Sequence, residues 1–333
     1  MANNKFTFEP SGNGYTVTGH FPPDDSMKIP SHFNGKPVTA IGRRAFHFMQ
    51  FMTDAVIPDT VTNIGEEAFM DCIRLKSVVI PPSVSSIAKG AFKNCGKLSA
   101  TIPGSVKSIG AEAFKGVGGE IRATFANGLT RIEEQTFNNC GLKSITLPSS
   151  LKSIARFAFA GSALESIVIP GSVTRIEEYT FASCQKLKSV TIPSSVTAIA
   201  VFAFRGSALE SVTIPDGVTR IEESTFSGCK SLTSVKLGRG VTRIEKDAFA
   251  GCSSLKSIVI PCSVKRIEAG AFRECPLASV TFENTEGWEI ECRDNWASPP
   301  TTYYSSVGSY MLTDPTRATG YFLRNINRPW QRK

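Results

Sequence analysis

The chain has 333 residues, 41% of them hydrophobic and 20% charged, which is enough apolar material for a buried core and too little charge for a solvated, extended chain. Lys plus Arg exceeds Asp plus Glu by 37 − 29 = 8, and the excess lies in the body, because the tail from Glu283 onward holds six of each sign. With only three histidines, no apolar run near the roughly 18 residues of a membrane span and no basic-then-apolar opening, imidazole catalysis, a bilayer span and a signal peptide are all unexpected.

In chain order, Phe6-Thr-Phe8 and Tyr15-Thr-Val17-Thr alternate on either side of Ser11-Gly-Asn-Gly14, the pattern of a β-hairpin. Residues 1–28 are therefore predicted to form an N-terminal cap, with His20, His32 and His47 as ordinary residues of this end. From 29 to 282 the sequence repeats. A Phe preceded by Ala or Thr stands at 46, 69, 92, 114, 137, 159, 181, 204, 226, 249 and 272, always 22 or 23 residues apart. Eleven units at that period predict a solenoid, in which each unit buries its apolar side chains against its neighbours.

The unit Leu75-Lys-Ser-Val78-Val-Ile80-Pro81-Pro-Ser-Val84-Ser-Ser-Ile87-Ala-Lys-Gly-Ala91-Phe92-Lys-Asn-Cys95 shows the design. Ser77 to Ile80 alternates as a half-buried strand should, and Pro81 ends it because Pro cannot donate to a ladder. The segment before each Phe has room for about one turn, so 3₁₀ or short helical turns are expected on the outer side. From the last strand residue to the Phe is always 12 residues, as in Ile57 to Phe69 and Ile260 to Phe272, so length variation belongs to the return turn. A further similarity at a shift of 45, between Thr174-Arg-Ile-Glu-Glu-Tyr-Thr-Phe and Thr219-Arg-Ile-Glu-Glu-Ser-Thr-Phe, marks duplication by pairs of units.

This Leu-x-x-Val-x-Ile-Pro-x-Ser-Val-x-x-Ile-x-x-x-Ala-Phe-x-x-Cys unit resembles the BspA-like, treponemal class of bacterial leucine-rich repeats. The resemblance implies a curved, right-handed solenoid with short parallel concave strands, irregular, 3₁₀ or short helical convex turns, and a cap at each end. It also implies protein binding, often adhesion to a host, in a protein that is surface-bound, secreted or periplasmic. The sequence itself leaves the compartment open, the cytoplasm included. Ala126 and Gly238 stand where Pro is usual, and the unit from Val117 to Phe125 is weak.

Residues 283–333 read as an aromatic-rich C-terminal cap with one helix, for which Asp314 would be the N-cap and Pro315 the first residue. All three tryptophans, Trp288, Trp296 and Trp330, fall there. They are read as cap core or, alternatively, as a surface for self-association or a partner.

Three constellations bear on chemistry. Cys72, Cys95, Cys140, Cys184, Cys229, Cys252 and Cys275 each follow the repeat Phe by three residues; one slot repeated is a packing slot, and Ser162 and Ser207 fill it at the same size. Only Cys262 and Cys292 stand outside that ladder, no Cys-x-x-Cys pair occurs, and neither metal nor any other cofactor is expected. The outward strand positions are Ser at 77, 99, 144, 166, 189, 211, 234, 257 and 279, then Thr or Val two residues on, a smooth face broken by Arg122 and Lys236. With Lys76, Lys143, Glu165, Lys188, Glu210 and Lys256 beside the Ser row, these breaks are the candidate protein contacts. Finally Arg131, Arg175, Arg220, Arg243 and Arg266 form a row that would suit a polyanion such as a glycosaminoglycan or nucleic acid, except that a Glu follows each one closely.

No phosphate-binding glycine loop, Gly-x-Ser-x-Gly elbow or His-Glu-x-x-His pair occurs, and recurring pairs such as Glu133-Glu134 and Glu177-Glu178 follow the repeat, so no enzyme is expected. The function read from the chain is non-catalytic protein binding, with host matrix as one class of partner. A polyanion binder and an intracellular or periplasmic scaffold are the alternatives.

Overall fold

A computed structural model describes residues 5–21 and 24–283, and the backbone of three later strands at 288–292, 303–305 and 330–332. The chain forms two compact units, Met1–Ser172 and Val173–Lys333, each a parallel β-solenoid of stacked coils. Among the described residues there is no helix.

Each coil has three sides. The first is the expected strand. In the first unit Ser26–Lys28, Asp54–Val56 and Ser77–Val79 pair in parallel, as do Ala100–Ile102, Ile121–Thr124 and Leu142–Thr146. In the second unit Ser211–Thr213 pairs with Ser234–Lys236, and Ser257–Ile260 with Ser279–Phe282. Val78, Val212 and Ile258 point inward, and the Ser and Thr or Val on either side of each point out.

The second side is a ladder of two-residue strands where the repeat motif predicted none. Asn63–Ile64, Ser86–Ile87 and Ser108–Ile109 follow one another in the first unit, and Arg220–Ile221, Arg243–Ile244 and Arg266–Ile267 in the second. Two residues are too few to show a period, which is why the pattern hides this side.

On the third side no helix forms among the described residues, so of the expected irregular, 3₁₀ or short helical turns the helical ones are absent. Every coil holds two residues in the left-handed region four positions apart, flanking the repeat Phe: Glu67 and Asp71 at φ 54° and 60°, Gly90 and Asn94 at 61° and 59°, Ser224 and Gly228 at 53° and 72°. A left-handed residue at every fourth position stops helix propagation and aims alternate amides along the stack. Thus the Glu67, Phe69 and Asp71 amides donate to the Lys89, Ala91 and Lys93 carbonyls of the next coil at 2.9, 2.8 and 2.9 Å. Between them Met70 N closes a single turn on Glu67 O at 3.1 Å. The outer side is therefore a third inter-coil ladder.

Inside these three ladders the eleven repeat Phe side chains are fully buried. Ring centroids lie 5.1–5.8 Å apart from Phe69 to Phe159 and 5.2–5.4 Å apart from Phe181 to Phe272, in stacked orientation. Where Thr precedes the Phe it is buried too, and the Thr136, Thr180 and Thr225 hydroxyls donate to the carbonyls of Glu133, Glu177 and Glu222 at 2.8–2.9 Å.

The weak unit shifts the first ladder. By its distance to the repeat Phe, Arg122 should sit beside Ser99; instead it pairs with Thr101, and Ile121 with Ala100. The displacement is two residues, so inward and outward faces are preserved. Glycine permits it. A Cβ on Gly119 would come 2.3 Å from Leu98 O, and one on Gly141 2.0 Å from Gly119 O, so the return turn packs backbone on backbone and draws the strand back.

At the N-terminus Phe6–Ser11 and Gly14–His20 form the expected antiparallel hairpin, and the second of these strands pairs in parallel with Lys36–Ile41. At the other end Trp330–Arg332 runs antiparallel to Arg266–Ile267, Trp288–Cys292 pairs with Trp330–Arg332, and Tyr303–Ser305 with Trp288–Cys292. The helix expected at Asp314 and Pro315 lies outside the described residues.

Two outcomes test this account. Phe137→Ala should cost about 3–5 kcal/mol in denaturant unfolding, since the side chain is fully enclosed. Ser183, exposed at φ 57°, should tolerate Gly within a few tenths of a kcal/mol but lose about 1–2 kcal/mol as Val, whose branched Cβ is the poorest fit to that region.

Candidate binding surfaces

Because interior positions repeat, individuality lies outside. On the first side two open grooves form, each at a coil that departs from the repeat. One, of 580 Å³ in the first unit, is lined by Val79, Thr101, Pro103, Glu120 and Arg122, at the shifted strand. The other, of 750 Å³ in the second unit, runs across five coils from Ile192 through Thr213, Lys236 and Val259 to Glu283.

The sequence-predicted contacts differ in how they are engaged. Arg122 Nε is 2.7 Å from Glu120 Oε1, and Lys143 Nζ is 3.5 Å from Glu120 Oε2, so the first groove has a charged but internally compensated wall. The Arg122 hydrogen bond also holds the Glu120 carboxyl below its usual pKa. Lys188 and Glu210 face each other at 3.4 Å. Lys76, Glu165, Lys236 and Lys256 are exposed, with no ion pair among the described residues. Lys236 lines the second groove. Arg239, at the rim of the same groove, was not singled out by sequence; the signal was its place one residue after the unusual Gly238.

The Arg row lies on the second side, where Arg220, Arg243 and Arg266 stand in register. Like charges facing across a ladder repel. Glu245 lies 3.3 Å from Arg220 and 3.2 Å from Arg243, and Glu268 lies 3.2 Å from Arg243 and also pairs with Arg266, giving a zigzag that crosses coils. Arg131 and Arg175 pair with Glu133 and Glu177 within their own coils at 2.8 and 3.0 Å. The row is locally neutralised, which removes most of its pull on a polyanion.

The Cys slot is interior. Cys72, Cys95, Cys140, Cys184, Cys229 and Cys252 are buried, and Cys275 is nearly so. The Cys72, Cys95, Cys229, Cys252 and Cys275 thiols donate to the carbonyls of Phe46, Phe69, Phe204, Phe226 and Phe249 in the preceding coil at 3.0–3.2 Å. Burial pushes the Cys72 and Cys140 thiols up to about 12 and Cys229 to about 11. Cys262 is exposed. Among the described residues no group of three or more His, Cys, Asp or Glu side chains is placed to hold a metal ion, and no helix is long and apolar enough to cross a membrane.

Of the three histidines, His20 packs on Phe6 with ring centroids 4.5 Å apart, His47 lies 3.7 Å from Asp71, and His32 meets the Ser31 hydroxyl. Burial lowers the His20 pKa against the opposing pull of Asp24. An aromatic feature that sequence reading did not single out lies on the third side. Tyr179 and Phe202, both at left-handed positions, stack at 4.8 Å, with the Arg205 guanidinium 5.5 Å from the Phe202 ring centre. Phe48 and Phe51 of the first full unit are exposed. Trp288 and Trp330 lie in the C-terminal strands just described, and Trp296 lies outside the described residues.

With this geometry in view, the comparisons with known proteins decide the family. Residues 39–162, 121–233 and 152–279 match the BspA type leucine rich repeat region. The chain belongs to this family of leucine-rich repeats. A leucine rich cell surface protein of Faecalibacterium prausnitzii is 31% identical, with 86% of this chain and 95% of that one covered and a TM-score of 0.53. A leucine-rich repeat protein of Bacteroides ovatus is 27% identical over 86% of this chain and 91% of that one, with a TM-score of 0.61. The pneumococcal vaccine antigen PcpA, at 18% identity, 86% and 93% coverage and a TM-score of 0.50, shares the fold. A comparison with curated proteins returned no match.

The thiol geometry predicts a labelling pattern. In native protein at pH 8, maleimide should modify Cys262 within minutes and leave Cys72, Cys95, Cys140 and Cys229 unmodified until denaturant is added, as read by peptide mass mapping.

Proposed function

We propose that this chain is a non-catalytic protein-binding module of a bacterial surface or envelope, of the adhesin kind, with host matrix proteins as one partner class. The observation that carries the reading is where the coils differ: the interior slots of Phe, Cys and Ile recur, while the departures at Arg122 and Lys236 fall on outward strand positions inside open grooves. Membership of a leucine-rich-repeat family supports it, and so does the similarity to a bacterial cell surface protein. The hairpin of residues 1–28 and the segment 283–333 are taken as the caps of the array 29–282. Trp288, Trp296 and Trp330 of that segment are taken as the candidate surface for association with a second chain. The polyanion alternative is disfavoured by the Glu partners of the Arg row, the scaffold alternative by the surface protein among the similar structures.

The purified chain, immobilised and exposed to matrix proteins and heparin from 50 to 200 mM salt, should bind at least one protein saturably, with affinity changing by less than about threefold over that range. Heparin binding alone, falling steeply on a log–log plot against salt, would overturn this in favour of the Arg row. An absence of binding across the panel would sink the host-matrix assignment.

A further inference from the structure

The 750 Å³ groove of the second unit is centred on one coil that breaks the repeat twice. At the outward position where neighbouring coils have Thr213, Val259 and Thr281, this coil has Lys236. Where Pro215 and Pro261 end the flanking strands, it has Gly238. The glycine is required, since a Cβ there would come 2.5 Å from Pro215 O.

The charges that line the groove are disposed for a ligand. Lys236 and Arg239 are exposed and have no carboxylate partner among the described residues. The two carboxylates of the groove are held at its rim by backbone amides: Asp216 Oδ1 accepts from Arg239 N at 2.8 Å, and Glu283 Oε2 accepts from Cys262 N at 3.2 Å. The Arg122 break of the other unit, by contrast, has Glu120 as its counterion.

Resting on the protein-binding reading, we infer that this groove docks an extended segment of a partner protein through one internal Asp or Glu side chain that pairs with Lys236. The carboxylate is internal because Lys236 lies on the third of the five coils that line the groove, with two coils to either side. A chain terminus would sit at an end. Five coils at a strand spacing of about 4.8 Å span about 19 Å, the length of about six extended residues. The flanking Ile192, Thr213, Val259 and the two prolines give the segment a floor of small and apolar groups.

The probes are acetylated, amidated hexapeptides of Thr and Val with one Glu at the third or fourth position, the same peptides with Gln, and a free-carboxylate peptide lacking Glu. Binding to the full chain is read by calorimetry, for the wild type and for Lys236→Glu, Lys236→Arg and, as a surface control away from every candidate contact, Lys152→Ala. Lys236 is exposed, so folding is unaffected, and circular dichroism checks this. The Glu peptides should bind wild type about tenfold or more tightly than the Gln peptides, lose that margin in Lys236→Glu, and keep it in Lys236→Arg and Lys152→Ala. Equal binding of Glu and Gln peptides, indifference to Lys236→Glu, absence of binding at 1 mM peptide, or preference for the free-carboxylate peptide would each overturn the inference. If matrix proteins still bind and are insensitive to Lys236→Glu, the inference fails alone. If they do not bind either, the protein-binding reading fails with it.

Discussion

The constraint on which everything else depends is the backbone hydrogen bond from coil to coil. It recurs on all three sides, in the first strand, in the two-residue second strand and through the outer turn, so each coil must present donors and acceptors at matching heights. The outer turn meets that demand by placing non-glycine residues such as Glu67, Gln135 and Tyr179 in the left-handed region, at a conformational cost offset by the inter-coil bonds it allows. The Phe stack follows from the same constraint. Once the backbone sets the spacing, a flat ring in each coil falls onto its neighbour, and the thiol three residues on reaches the carbonyl of the Phe in the preceding coil.

This ordering explains which features the sequence discloses. The Phe ladder, the first strand and the hairpin were legible because burial imposes a period that survives as residue type. The second strand was not, because Arg-Ile or Ser-Ile is two residues long and carries no alternation. The left-handed turns were hidden because Gly, Asn and Asp, the residues that favour that conformation, hold only part of the slot; Arg, Glu, Gln, Ser, Tyr and Phe hold the rest. The displaced strand at Ile121–Thr124 could not be found by counting from the Phe, since its cause lies in how Gly119 and Gly141 pack against carbonyls of other coils.

The surface shows the same division. Lys236 and Arg122 stood out in the sequence as breaks in a uniform row, yet only the three-dimensional arrangement distinguishes them. Arg122 has Glu120 beside it two residues back, just before its own strand, whereas the carboxylates that line the Lys236 groove are committed to backbone amides. Arg239 escaped notice because a single Arg in a turn has no pattern to violate. The Glu partners of the Arg row were visible as neighbours in sequence, but the pairing of Arg220 with Glu245 and of Arg243 with Glu268 reaches into the following coil and needed the register.

The direction of the inter-coil bonds has a mechanical consequence. Within either unit they run along the stacking direction, so tension applied along that direction loads them end-on and the outermost coil gives way first. A tethered chain of this kind would lengthen in steps of one repeat, each releasing about 75 Å of backbone from its 22 or 23 residues. The coils not yet opened would keep their surfaces intact under load.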